Sequence, residues 1–170
     1  NTLAVITAQL ETLASTLEDT VGTLTTLSKT QVNTSIAKVL KERSEETAFN
    51  LSNTSNIESI VNKIKTVHNI PDSDDFTNIK TNAKTYISTI NTNINNVSGT
   101  FTQRITEATK IKIASSNKIT TVKETFKTDS FDSAAVVSDV NTAKTEVTIQ
   151  AIQAPTRSLI SLPGAPTNLS

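Results

Sequence analysis

The sequence predicts an all-α protein: a single-domain bundle of about five to six amphipathic helices over residues 1–153, compact or elongated, with an extended proline-containing C-terminal tail over 154–170. Apolar residues recur at alternating steps of three and four, the spacing of a buried helical stripe. Cap and turn residues punctuate the stripes at helix-length intervals. At 170 residues without cysteine, the chain is long enough to bury one self-sufficient core, with no disulfide or thiolate metal site to hold it.

The first stripe runs Leu3, Ile6, Leu10, Leu13, Leu17, Leu24 and Leu27, with Thr20 in the vacant slot and Ala14 and Val21 widening it. A face this broad suits a bundle helix better than a two-stranded coiled coil, and it predicts a helix from Thr2 to about Lys29. Gln31 to Thr34 interrupts the pattern, which resumes at Ile36, Val39 and Leu40 and fades near Phe49, as a second helix or a kinked continuation of the first. The polar run Asn50 to Asn56 reads as a loop. Ser55 followed by Glu58 has the form of a capping box ahead of Ile57, Ile60, Val61, Ile64 and Val67, so a short helix is expected from Asn56 to about Asn69. Pro71 stops it. Asp72 or Ser73 can cap the next helix, whose first turn places Asp74 and Asp75 where the backbone dipole favours negative charge.

The longest stripe reads Phe76, Ile79, Ala83, Tyr86, Ile87, Ile90, Ile94 and Val97, then continues from Phe101 through Ile111 and Ile119 to Phe126. Asn95, Asn96, Ser98 and Gly99 cluster turn formers between the halves, so a hairpin is expected rather than one bent helix. The last helix opens near Asp132 and carries Val136, Val137, Val140, Ala143 and Val147, although Glu146 to Ala151 also alternates like a strand. Pro155, Pro163 and Pro166 exclude the remainder from a helix and predict a segment extended or draped on the surface. The filler is unusual: 31 Thr, 18 Ser and 16 Asn occupy positions where better helix formers are expected, so helicity has to come from packing.

Function is constrained mainly by exclusion. The 16 basic and 16 acidic residues cancel, which removes the general field that drives nucleic-acid binding, and no apolar run is long enough to span a bilayer. His68 is the sole histidine and has no second imidazole or thiol to join it at a metal. Asp72, Asp74 and Asp75 lack the glycine and closing glutamate of a calcium loop. Glu45 and Glu46 diverge around a helix, and no nucleophile elbow or glycine-rich phosphate loop occurs. Neither an enzyme nor a cofactor is expected. Charge is patterned along the chain: residues 1–27 carry Glu11, Glu18 and Asp19 with no base before Lys29, whereas residues 104–127 carry Arg104, Lys110, Lys112, Lys118, Lys123 and Lys127 against Glu107 and Glu124. Opposite signs suit these two segments as neighbours.

The first residue is Asn1 and the chain has no methionine, which suggests a removed leader and a secreted protein. N-x-S/T sequons at Asn33, Asn50, Asn53, Asn96 and Asn168 agree with a glycoprotein, although so Asn- and Thr-rich a composition supplies about this many by itself. The expected function is a hydrophobe-binding bundle that takes a fatty acid or other lipid between the first stripe and the long isoleucine stripe. Its lining residues would be Leu10, Leu13, Leu17, Ile79, Ala83, Ile87, Ile90 and Ile94. The alternative is a structural or interaction protein of an extracellular coat or secreted material, acting by self-association. In physical type the stripe pattern resembles insect apolipophorin-III and the fungal hydrophobic-surface-binding proteins, which are cysteine-poor amphipathic bundles. The resemblance is one of pattern and transfers no residue's role.

Overall fold

The computed structural model describes residues 3–42 and 49–149; Glu45, Glu46, Asn168 and the expected tail over 154–170 lie outside the described residues. Six α-helices account for most of the chain: α1 (Leu3–Val21), α2 (Lys29–Glu42), α3 (Thr54–Val67), α4 (Asp74–Asn95), α5 (Phe101–Val122) and α6 (Ser133–Ala143), with a 3-10 segment at Lys123–Lys127. Helix covers 76 % of the described residues, none of which is in a strand.

The first helix is shorter than its stripe. Tight bonds from Thr23 N to Thr20 O (3.3 Å) and Leu24 N to Val21 O (2.9 Å) close it, and a Cβ on Gly22 would lie 2.1 Å from the Glu18 carbonyl oxygen. Leu27 is nonetheless buried and Leu24 packs on the core, so an irregular connection carries the apolar pattern onward. The second helix begins earlier than expected. Ser28 caps it: Gln31 N donates to Ser28 Oγ (3.3 Å) and Ser28 N to Gln31 Oε1 (2.8 Å), so Gln31 to Thr34 lies inside α2.

Asn53, not Ser55, caps α3, its Oδ1 accepting from Ser55 N (2.8 Å) and Asn56 N (3.3 Å). Glu58, the expected reciprocal partner of Ser55, instead reaches Lys84 (2.8 Å) and Lys80 (3.6 Å) on α4. Ser73 caps α4 as expected, while Asp72 pairs with Lys65 (2.6 Å). A hairpin joins α4 to α5: Gly99 adopts φ +107°, and Thr100 and Gln103 form a full capping box. Phe126 lies in the 3-10 segment, whose terminal carbonyls are taken by α4 amides, Asn78 Nδ2 to Lys127 O (2.9 Å) and Asn82 Nδ2 to Phe126 O (3.0 Å). The last helix stops at Ala143, and residues through Ile149 form turns and coil with no strand.

α1 lies against both α4 and α5. Glu11 meets Lys112 (2.7 Å) and Asp19 meets Thr120 (3.4 Å), two contacts at the same sequence offset, so α1 and α5 run parallel. The acidic and basic segments are thus neighbours. Threonine fits these helices because its hydroxyl returns to the carbonyl four residues back, as in Thr7 to Leu3 (2.9 Å), Thr20 to Thr16 (2.7 Å) and Thr89 to Thr85 (3.0 Å).

Candidate functional site

The eight residues assigned to an α1–α4 seat all belong to the core. Leu13, Leu17, Ile79, Ala83, Ile87, Ile90 and Ile94 are buried, and Leu10 is half-buried and packed against them. They therefore stand together, within a close-packed interior whose admission of a ligand requires α1 and α4 to separate. Aromatic rings add to this core: Tyr86 meets Phe126 edge-on at 5.8 Å, and Phe131 lies 4.0 Å beyond. The buried Tyr86 hydroxyl shares a hydrogen bond with Ser115 (2.9 Å), and burial pushes its pKa up to about 12.

A polar network crosses the same interior and escaped the stripe reading. Asn91 is fully buried between Ile90 and Ile94; its Nδ2 donates to Leu51 O (2.8 Å), and its own carbonyl accepts from Gln9 Nε2 (2.9 Å). Ser88 Oγ donates to Ser52 O (2.6 Å). The connection around residues 49–53 is thereby pinned to α1 and α4. An Asn within an isoleucine stripe was the available signal.

The two most exposed large apolar side chains among the described residues lie together. Leu3 is 80 % exposed and Phe101 is 64 % exposed, and both line one groove between the first turns of α1 and α5. Its volume is about 640 Å³, with Ala4, Ala8 and Thr7 along one wall and Thr109 on the other. Glu11 and Lys112 stand at its inner end. The Lys112 hydrogen bond holds the Glu11 carboxyl below the ordinary carboxylate range, against the opposing effect of partial burial. Leu3 opens the first stripe and is predicted to be buried with it, but at the first turn of α1 it is left exposed.

The other candidates resolve into structural roles. His68 is the C-cap residue of α3, its backbone N–H bonded to Ile64 O (3.0 Å), and the described residues hold no group of three or more His, Asp and Glu able to bind a metal. No helix among them is long and apolar enough to cross a membrane. The sequon residues Asn33, Asn50, Asn53 and Asn96 are all exposed. Compared with protein-family models, curated proteins and solved structures, the chain matches none.

Proposed function

We propose that the protein is a secreted, non-enzymatic helical bundle that binds a hydrophobic ligand, a fatty acid or another lipid, through the α1–α5 groove. The observation that carries this reading is the pairing of Leu3 and Phe101, two large apolar side chains left exposed on one groove. Its size falls within the roughly 300–1,000 Å³ of small-molecule sites, and small alanines on the α1 wall let an acyl chain lie close to the backbone. Lys112 offers a cation to a carboxylate or phosphate head, in competition with Glu11. Exposure of the four sequon asparagines is compatible with a glycosylated, extracellular protein. The α1–α4 interior would serve as a deeper seat, reached only if the bundle opens.

The test is displacement of a fluorescent fatty acid from the full chain and two variants, with thermal unfolding in parallel. Phe101→Glu should abolish binding and leave the melting temperature nearly unchanged, because the ring is solvent-facing. Ala83→Phe should leave groove binding intact while overpacking a fully buried site at a cost of about 1–3 kcal/mol. Lost binding with retained stability in Ala83→Phe would move the ligand to the interior. A full chain that binds no fatty acid at micromolar concentration, yet forms large assemblies in solution, would replace this reading with the coat or structural role.

A further inference from the structure

The α1–α5 groove changes chemistry along its length. Leu3, Thr7, Glu11 and Ser15 recur every four residues and so share one face of α1, which turns from apolar to polar toward the inner end. Lys112 and Ser116 share a face of α5 in the same way. Beyond the Glu11–Lys112 pair, which lines both spaces, the groove adjoins a recess of about 190 Å³ that Asn117 and Lys29, the first residue of α2, complete. Taking the groove as the hydrophobe site, we propose that this recess is its head-group seat, and that the ligand is a single-chain amphiphile with an anionic head whose tail runs outward to Leu3 and Phe101.

Charge and length both fit. Glu11 is bonded to Lys112 at 2.7 Å and feels Lys29 only at longer range, so two ammonium groups face one carboxylate. Glu18 takes the backbone N–H of Lys29 (2.9 Å), and the Lys29 ammonium has no carboxylate within ion-pairing distance among the described residues. The Ser15 and Ser116 hydroxyls are half-buried and donate to no other described residue. An anionic head completes this set without displacing Glu11: the carboxylate keeps Lys112, while the head accepts from Lys29 and the two hydroxyls. With a water molecule taking about 30 Å³, the recess has room for a head group and a few waters but not for a chain. The chain belongs in the groove. From Phe101 to Lys112 α5 rises about 16 Å. That is close to one leaflet, half of the roughly 30 Å hydrocarbon thickness of a bilayer, so one acyl chain spans the groove with its head at the lysines.

The test is isothermal titration calorimetry of the full chain at neutral pH with laurate and with dodecanol, which share a chain and differ in head charge. Laurate should bind about tenfold more tightly, the effect of one hydrogen bond to a charged group. Lys29→Ala should bring the laurate affinity down to that of dodecanol, and Lys29→Arg should retain the preference. Dodecanol affinity should change little among the three chains, which separates loss of the head contact from loss of the fold. Equal affinity for the two ligands in the unsubstituted chain, or a laurate preference that survives Lys29→Ala, would overturn the head-group seat while leaving hydrophobe binding in place. Binding of neither ligand would remove the groove as a hydrophobe site and this proposal with it.

Discussion

Asn91→Ala should destabilise the bundle by opening its buried polar link. The change deletes the donor that satisfies Leu51 O at 2.8 Å, in a residue that is itself fully buried. An orphaned buried acceptor costs about 1–3 kcal/mol. Asn91 Oδ1 already lacks a partner, so its removal recovers part of that cost and brings the expectation to about 1–2 kcal/mol. For a chain of this length that is a fall in melting temperature of roughly 2–8 °C. Urea and thermal unfolding, followed by circular dichroism, supply the numbers. Asn91→Asp should be worse at neutral pH, because it turns an acceptor toward the Leu51 carbonyl and buries a charge, and it should regain stability on acidification as that carboxyl protonates. An Asn91→Ala protein within about 0.5 kcal/mol of the unsubstituted chain, the range of ordinary surface changes, would refute the reasoning and show that the connection at 49–53 is held by apolar contacts alone.

The single tyrosine permits a clean titration: near-ultraviolet absorbance should place Tyr86 ionisation at about 12, or at the alkaline unfolding transition if that comes first. The unfolded phenol ionises near 10, so between about 10 and 12 the folded state holds the extra proton and stability falls as pH rises. Glu58 has the opposite sign. The Lys84 hydrogen bond holds its carboxyl below the ordinary range, so its contribution is present above the unfolded pKa and disappears as pH falls through the folded value. Melting curves of Glu58→Gln and the unsubstituted chain should differ at neutral pH and converge in acid; a constant gap would contradict the pairing. Gly99→Ala should cost about 1–3 kcal/mol by thermal unfolding, since φ +107° is strained for alanine and the new Cβ would lie 2.7 Å from Gln103 Oε1, within the α5 capping box.

The helical class was legible because burial, not propensity, writes the three-four spacing, and Leu13, Ile60, Ile87 and Ile111 all fall on buried faces. Boundaries were harder to read. Leu24 and Leu27 continue the α1 stripe from a connection, because a loop can direct leucines inward as well as a helix can. The Ser28–Gln31 box that starts α2 has the same serine-to-glutamine form as any other capping box, but it was hidden by the assumption that α1 ran to Lys29. Conversely, the Ser55–Glu58 pair satisfied the pattern, but Asn53 holds the cap and Glu58 pairs with two lysines on α4. The neighbouring of α1 and α5 was readable from complementary charge. The groove was not, because a periodic stripe predicts which residues face inward and is silent on where the partner helix ends.

Parallel pairing of α1 and α5 also sets the order in which the protein can be made. Their contacts join residues 101 positions apart, and the intervening chain must be synthesised before either pairing exists. At about 5–20 residues per second, Lys112 follows Glu11 from the ribosome by roughly 5–20 s. α1 carries four threonines and has little intrinsic helicity of its own, and it gains its α4 neighbour before its α5 neighbour. By separation along the chain, the neighbours α2–α3 and α4–α5 can pair first, and the α1–α5 contacts close only after Thr120 has been made.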